Sequence, residues 1–274
     1  MDIMKKRVGI LAGGGDFPLL AIENALKLNY DVTVIGFKNF FNPAKIRKYK
    51  SITYYEEHIG YLNKIVKLLK KENINEILFI GKIYKHIVLR ERKFDMAAIK
   101  LLLTLKDKSD FSLLLKLVEF FKKNNITVIS QKKIFQNIIA KKGYLSKYKL
   151  KRNIKKNIEW GYKIAKSIAN LDIGQSVIVG DNVVISVEGI EGTDEMIKRS
   201  RKYIFNSNKT IFIKVARKNY DERFDLPTVG LNTLRLLKKI GIKNVIVEAN
   251  TVLLPHYEKI IKFANENHIV ILGI

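Results

Sequence analysis

Cysteine is absent from this chain of 274 residues, and histidine occurs only four times. The first absence excludes disulfides, thiolate zinc sites and cysteine nucleophiles, and the second leaves little material for a histidine-rich metal centre. Long apolar runs are missing too: stretches such as AAIKLLLTL soon meet Lys and Asp, well short of the roughly eighteen residues a bilayer-spanning helix needs. The opening MDIMKKRVGILAGGG places basic residues before an apolar run too short for a signal-peptide core. A soluble, cytoplasmic protein that begins near Met1 is therefore expected. Acidic residues are the other shortage: 26 Asp and Glu stand against 51 Lys and Arg, a net charge of +25. Such a charge attracts nucleic acid, anionic lipid or a phosphorylated substrate. The basic residues are spread through amphipathic patterns such as KIVKLLKKENI and LRLLKKIGIKN, with no arginine-rich tail or RNA-binding aromatic signature, so no nucleic-acid partner is expected.

What the chain does contain is alternation. RVGILAG, DVTVIGF and EILFIG read as strands separated by the helical patterns FPLLAIENALKLN and GYLNKIVKLLKKEN, and two further amphipathic segments, DMAAIKLLLTLK and DFSLLLKLVEFFKKN, precede a last strand, ITVIS. This order predicts a parallel sheet with crossover helices, a Rossmann-like unit. From about Gln131 to Lys156 the pattern becomes basic and aperiodic. A linker is placed at 132–156, between an N-terminal domain at 1–131 and a C-terminal catalytic domain at 157–274. The second half opens with helix NIEWGYKIAKSIANLD and a hairpin, QSVIVGDNVVISVEG, folded about its GDN turn. Helices TDEMIKRSRKYI, TVGLNTLRLLKKIG and YEKIIKFANENH then alternate with strands TIFIKVA, NVIVEA and IVILGI. The expected fold class is α/β, with an N-terminal Rossmann-like parallel sheet and a C-terminal α/β domain whose sheet is mixed.

Near the start, GILAGGGDFP sets Gly13, Gly14 and Gly15 where a strand hands over to a helix, with Pro18 suited to the first helical turn. Backbone N–H groups exposed by such a turn, together with the helix dipole, attract phosphate; a tight turn with no ligand fits the same residues. The dinucleotide fingerprint is not met, because Pro18 stands at the third glycine position and the second strand ends VIGFK without a carboxylate. No Gly-Lys-Ser/Thr follows, so a P-loop is absent as well.

In the second half, polar residues gather where strands end, at LDIGQ (171–175), VEGIEGTDE (187–195), KVARKNYDERFDLPTVG (214–230) and VEAN (247–250). Ligands collect at such ends in open α/β sheets, which makes Gln175 and its counterparts in the other clusters candidate contacts. Gly192, Thr193 and Asp194 read either as a helix N-cap with acids complementing the dipole or as a phosphate or sugar contact. Glu188 and Glu248 are either solvated carboxylates or orienters of a ligand hydroxyl. Lys214, inside an apolar strand, either snorkels to solvent or is buried against a partner such as a phosphate. Asp225 interrupts an apolar stretch before a helix for which Thr228 is the available cap; it reads as an N-terminal turn acid or as a functional carboxylate.

Taken together, GILAGGGDFP, GKI at 81–83, LDIGQSVIV, VEGIEGTDEMIKR, RFDLPTVG and VEA resemble the UDP-2,3-diacylglucosamine pyrophosphatases of the LpxI type, lipid A biosynthetic enzymes of Gram-negative bacteria. The resemblance runs over nearly the whole chain, and EGTDEMIKR and RFDLPTVG are its most specific parts. It implies hydrolysis of UDP-2,3-diacylglucosamine to UMP and 2,3-diacylglucosamine 1-phosphate with Mg²⁺, in two domains joined by a linker with the product bound between them. The family's essential aspartate falls on Asp225, as metal ligand or as base. Gly81 and Lys82, from GKI, join Gly13, Gly14, Gly15, Gln175, Glu188, Gly192, Thr193, Asp194, Lys214, Thr228 and Glu248 as the expected substrate-binding set. Three positions depart from the family pattern: Arg217 and Lys218 stand where Lys-Pro is frequent, and Asn250 stands where glycine is usual. The net charge of +25 then suits a nucleotide-activated lipid and an anionic inner leaflet, so peripheral contact with the cytoplasmic face of the inner membrane is expected. A homodimer is left open. The competing readings are a Rossmann-like nucleotide-sugar enzyme and a basic RNA-binding protein.

Overall fold

The structure is a computed structural model describing residues 5–84, 87–88, 93–105, 109–151 and 154–274. It divides into two compact units, Met1–Phe135 with Glu222–Phe224, and Gln136–Asp221 with Asp225–Ile274.

In the first unit five parallel strands, β1 (Arg7–Ala12), β2 (Asp31–Phe37), β3 (Ile52–Glu57), β4 (Glu76–Ile80) and β5 (Thr127–Val128), lie in the order β3-β2-β1-β4-β5. Each connection crosses through helix or loop: α1 (Phe17–Lys27), α2 (Leu62–Lys71), α3 (Met96–Leu103) and α4 (Asp110–Lys123), with α5 (Gln131–Phe135) closing the unit. The apolar runs read as strands are central: every residue of β1 except Arg7 is buried, and Ile35, Ile77, Leu69 and Phe121 pack the face beside it. Pro18 sits in the first turn of α1 as expected. β3 has no counterpart in the sequence reading. Its residues ITYYEE are half-buried or exposed apart from Glu57, because an edge strand with one neighbour needs no continuous apolar run. The segment Glu222–Phe224 belongs to this unit. Phe224 stacks on Phe79 at 6.1 Å, Gln131 Nε2 donates to the Phe224 carbonyl at 3.4 Å, and Lys132 Nζ lies 2.5 Å from Glu222.

The second unit is built on a six-stranded mixed sheet. Its strands are β6 (Gly143–Tyr144), β7 (Ser176–Gly180), β8 (Val183–Val187), β9 (Ile211–Lys214), β10 (Asn244–Val247) and β11 (Val270–Gly273), in the order β6-β11-β10-β9-β7-β8. β9, β10 and β11 are parallel, whereas β7, β8 and β6 pair antiparallel with their neighbours. The β7–β8 hairpin turns on Asp181 and Asn182, both left-handed with φ of 47° and 62°, the conformation that tight two-residue turns require. Helices α6 (Lys155–Asn170), α7 (Thr193–Ser200), α8 (Leu231–Lys239) and α9 (Tyr257–Glu266) cover the sheet. Within 131–156, β6 pairs with β11, and Ser146 Oγ accepts the Ile271 N–H at 2.9 Å.

One local expectation is corrected. Thr228 does not cap a helix: α8 begins at Leu231 with Gly230 as its cap, because Pro227–Val229 run extended against Leu253. The Val229 N–H donates to the Leu253 carbonyl at 2.9 Å and the Leu253 N–H to the Pro227 carbonyl at 2.8 Å. Asn250, the residue that departs from glycine, keeps a left-handed φ of 60°, which Asn tolerates better than most residues.

Candidate functional site

Register brings the four polar clusters together. Lys214 lies opposite Ser176 on one side and Val247 on the other, and Val177 lies opposite Val187. The start of β7 and the ends of β8, β9 and β10 therefore share one end of the second unit's sheet, where ligands collect in α/β folds.

At that end Lys214, 4% exposed, does not snorkel. Its Nζ donates to Glu188 Oε2 and to Thr193 Oγ1, each at 2.9 Å, and Thr193 Oγ1 donates to Glu188 Oε1 at 2.5 Å. The Gln175 N–H donates to Glu188 Oε2 at 3.1 Å. Burial pushes the Glu188 carboxyl up, but the charge of Lys214 and the hydrogen bonds outweigh it and hold the group below its ordinary value of 4.5. Gly174 makes this arrangement possible, since a Cβ there would collide with the Glu188 carbonyl. The buried lysine thus has a protein partner, and Glu188 is an ionised strut.

Glu248 is engaged in the same way. Oε1 accepts Tyr162 Oη and Lys166 Nζ, both at 2.9 Å, and Oε2 accepts the Ala216 N–H at 2.7 Å. Lys166 Nζ also donates to the Ala216 carbonyl at 2.6 Å. Burial, with the hydrogen bond to Glu248 added, pushes the Tyr162 hydroxyl up to about 12. Together these groups clamp the Ala216 residue that leads into Arg217. Sequence reading missed Tyr162 and Lys166 because polar positions on an amphipathic helix look like its solvated face.

Beside this framework opens a cleft of about 270 Å³ lined by Asp172, Gly174, Gln175, Glu188, Arg217 and Asp225, among others. Asp225 is half-buried and accepts from Gln175 Nε2 at 3.1 Å through Oδ2. Buried Leu226 and the Pro227–Val229 pairing with Leu253 anchor the chain just after it, so the acid stands at the last position before the segment is pinned. Arg217 Nη1 donates to Asp172 Oδ1 at 3.2 Å. Sequence reading included Asp172 and Arg217 only within the polar clusters 171–175 and 214–230, and singled out Arg217 only as a departure from the family pattern. Thr228 lies outside the cleft lining, and its Oγ1 donates to the Leu226 carbonyl at 3.2 Å. Gly192 caps α7 with a left-handed φ of 81°, and Asp194 accepts from Asn232 and Thr233, joining α7 to α8. No three His, Asp or Glu side chains converge as a metal cage among the described residues.

In the first unit the glycine loop lies where β1 and β4 end, at the point where strand order reverses. Two of its amides are committed: Gly13 N–H donates to the Ile80 carbonyl and Gly14 N–H to the Lys82 carbonyl, each at 2.8 Å, and Lys82 N–H returns to Gly14 at 2.9 Å. A Cβ at Gly13 would stand 2.8 Å from the Lys82 carbonyl oxygen, and one at Gly81, with φ of 100°, would stand 2.8 Å from Gly13. These glycines permit a close backbone crossing. Gly15 differs, with φ of 91° and open space around it.

The comparisons agree with this two-unit architecture. The LpxI N-terminal domain family matches residues 7–138 and the LpxI C-terminal domain family matches 141–272. A protein of Caulobacter vibrioides described as UDP-2,3-diacylglucosamine pyrophosphatase LpxI is 24% identical over 277 residues, covering 98% of each chain. Among solved structures, the Bordetella bronchiseptica enzyme WbmH in complex with NAD+ overlaps 44% of this chain at 16% identity and a TM-score of 0.30. The chain spans 37% of that structure's length, and so slight a likeness carries no argument. With both domain families matched in order along nearly all of its length, this chain belongs to the LpxI family.

Proposed function

We propose that this protein hydrolyses the pyrophosphate bond of UDP-2,3-diacylglucosamine, giving UMP and 2,3-diacylglucosamine 1-phosphate in lipid A biosynthesis. The observation that carries the reading is the pairing in one cleft of an accessible carboxylate, Asp225, with a guanidinium, Arg217, in a chain matched by both LpxI domain families. A pyrophosphate diester repels nucleophiles through its anionic oxygens, so its hydrolysis needs a cation near those oxygens and a positioned water. Arg217 supplies the cation: its fork suits bidentate binding of a phosphate, and one of its partners, Asp172, is itself largely exposed. Asp225 supplies the carboxylate: it lines the cleft and is held through Oδ2 by Gln175 Nε2. Glu188 and Glu248 are already saturated by Lys214, Thr193, Lys166 and Tyr162, and serve to fix the loops that carry the reacting groups.

Mg²⁺ fits this donor set. It is held elsewhere by one or two carboxylates together with substrate phosphates, and Asp225 offers one carboxylate. When bound, the ion neutralises phosphate charge and acidifies a water. Asp225 acts either by holding it or by accepting the proton of the attacking water. That water gives its hydroxyl to one phosphorus while the bond from that phosphorus to the bridging oxygen breaks, and the remaining proton leaves to solvent.

Peripheral contact with the cytoplasmic face of the inner membrane completes the reading, because the substrate is a lipid and the net charge is +25. No helix among the described residues is long and apolar enough to cross a membrane. The deciding experiment is incubation with radiolabelled UDP-2,3-diacylglucosamine and Mg²⁺. Release of UMP supports the reading; its absence, with NAD retained by the purified protein or tight salt-sensitive RNA binding, overturns it.

A further inference from the structure

We propose that the exposed face of α3 is a docking surface for an anionic lipid bilayer, an inference that rests on the reading that the chain works on a membrane-borne glycolipid. α3 meets two environments. Ala98 and Leu101 are buried in the first unit's core, and Ala97 packs against it. On the opposite side Met96, Ile99 and Leu103, at spacing i, i+3, i+7, form one stripe exposed by 64%, 40% and 80%. The water-facing side of a surface helix ordinarily carries polar residues, and in MAAIKLLL the only one is Lys100. Asp95 caps the helix and fixes its start, accepting from the Ala98 N–H at 2.9 Å and the Asn63 N–H at 2.6 Å, so the stripe is presented by an ordered element.

Charge selects the occupant. Residues 82–123 contain eleven Lys and Arg against five Asp and Glu. Lys93 and Lys100 are exposed beside the stripe, and Lys122 and Lys123 are exposed on α4. Large apolar side chains flanked by lysines are the pattern of a helix that lies in the plane of a membrane, with its apolar side among acyl chains and its cations at anionic headgroups. A second copy of the chain is a poor occupant, because it would bring an equally basic face against this one. Eight residues are far too few to span, so the contact is superficial.

The test is co-sedimentation with vesicles of phosphatidylcholine alone and of phosphatidylcholine containing about one third phosphatidylglycerol. The expected result is binding to the anionic vesicles only, reduced by about tenfold in the Met96→Ser/Ile99→Ser/Leu103→Ser variant and in Lys93→Glu/Lys100→Glu. Phe205→Ser, which removes an exposed aromatic outside the stripe, leaves it unchanged. Should the triple variant fail to fold, Leu103→Ser alone takes its place with a smaller loss. Failure of the wild type to sediment with anionic vesicles, or undiminished sedimentation of the apolar variants, overturns the proposal. So does a change of oligomeric state in the triple variant at constant vesicle binding, which would assign the stripe to a second copy. Turnover of detergent-dispersed substrate separates this from the enzymatic reading: the triple variant keeps it, and its absence in wild type would sink the activity while the vesicle result stood.

Discussion

Lys214 Nζ and Glu188 Oε2 form an ion pair 2.9 Å long, with side chains 5% and 11% exposed, at the end of β9. Breaking a buried pair leaves one charge without a partner, at a cost of about 3–5 kcal/mol, whereas replacing both residues with apolar ones costs much less. Lys214→Met is therefore expected to lower Tm by roughly 10 °C and Glu188→Leu/Lys214→Met by clearly less. Thermal unfolding of the double-mutant cycle checks it, and additive losses would show that the pair is not a unit.

The same pair sets a pH dependence. The folded-state value of Glu188 lies below the unfolded 4.5, so its contribution to stability is complete above 4.5 and is lost as pH falls through the lower folded value. Glu188→Gln removes that titration. Urea midpoints measured from pH 7 down to pH 3 should fall less steeply in the variant than in wild type, and parallel curves would contradict the assignment.

Asp225→Asn should reduce UMP release by about a thousandfold or more while Tm changes little, since the group is half-buried with Gln175 as its side-chain hydrogen-bond partner. Exhaustive EDTA should stop turnover equally, again with Tm retained, because no protein cage of three His, Asp or Glu side chains is found among the described residues. Turnover above a few per cent in Asp225→Asn would move the chemistry to another carboxylate.

Arg217→Ala removes a charged hydrogen-bond donor from the cleft, a loss of about 1.5–3 kcal/mol and hence about 10–100-fold in kcat/KM. Arg217→Lys should recover part of it, as a point charge without the planar fork. Steady-state kinetics decide the matter, and an unchanged kcat/KM in Arg217→Ala would show that the phosphates bind elsewhere.

The glycine loop divides by position. Gly13→Ala drives a methyl to 2.8 Å from the Lys82 carbonyl oxygen, in the backbone itself, and should cost about 1–3 kcal/mol of stability. Gly15→Ala meets no atom within 4 Å and pays only for its φ of 91°, so it should unfold closer to wild type. Calorimetry that ranks Gly15→Ala as the more damaging would show that strain, not crowding, rules this turn.

The α/β class, the central strands, the hairpin on Asp181 and Asn182 and the polar ends that share one end of the second unit's sheet were legible because each is a local pattern: a buried apolar run, a turn dipeptide, a charge where none is tolerated without reason. β3 escaped because an edge strand is only half-buried. The cap at Thr228 was misread because Leu253, distant in sequence, draws Pro227–Val229 into extended pairing before α8 begins.

Tertiary structure alone decided what each polar residue does. Glu188 and Glu248 look alike in sequence, each just past a strand, and nothing local says that one is held by Lys214 from β9 and the other by Lys166 and Tyr162 from α6. Gly13 and Gly14 look like free phosphate donors until the end of β4 takes their amides. The sequence determined which residues were out of place in an apolar layer. Whether each became a strut or stayed open to the cleft depended on partners up to 86 positions away, because burial forces every charge to find a counter-charge or donor and only the fold determines which one is within reach.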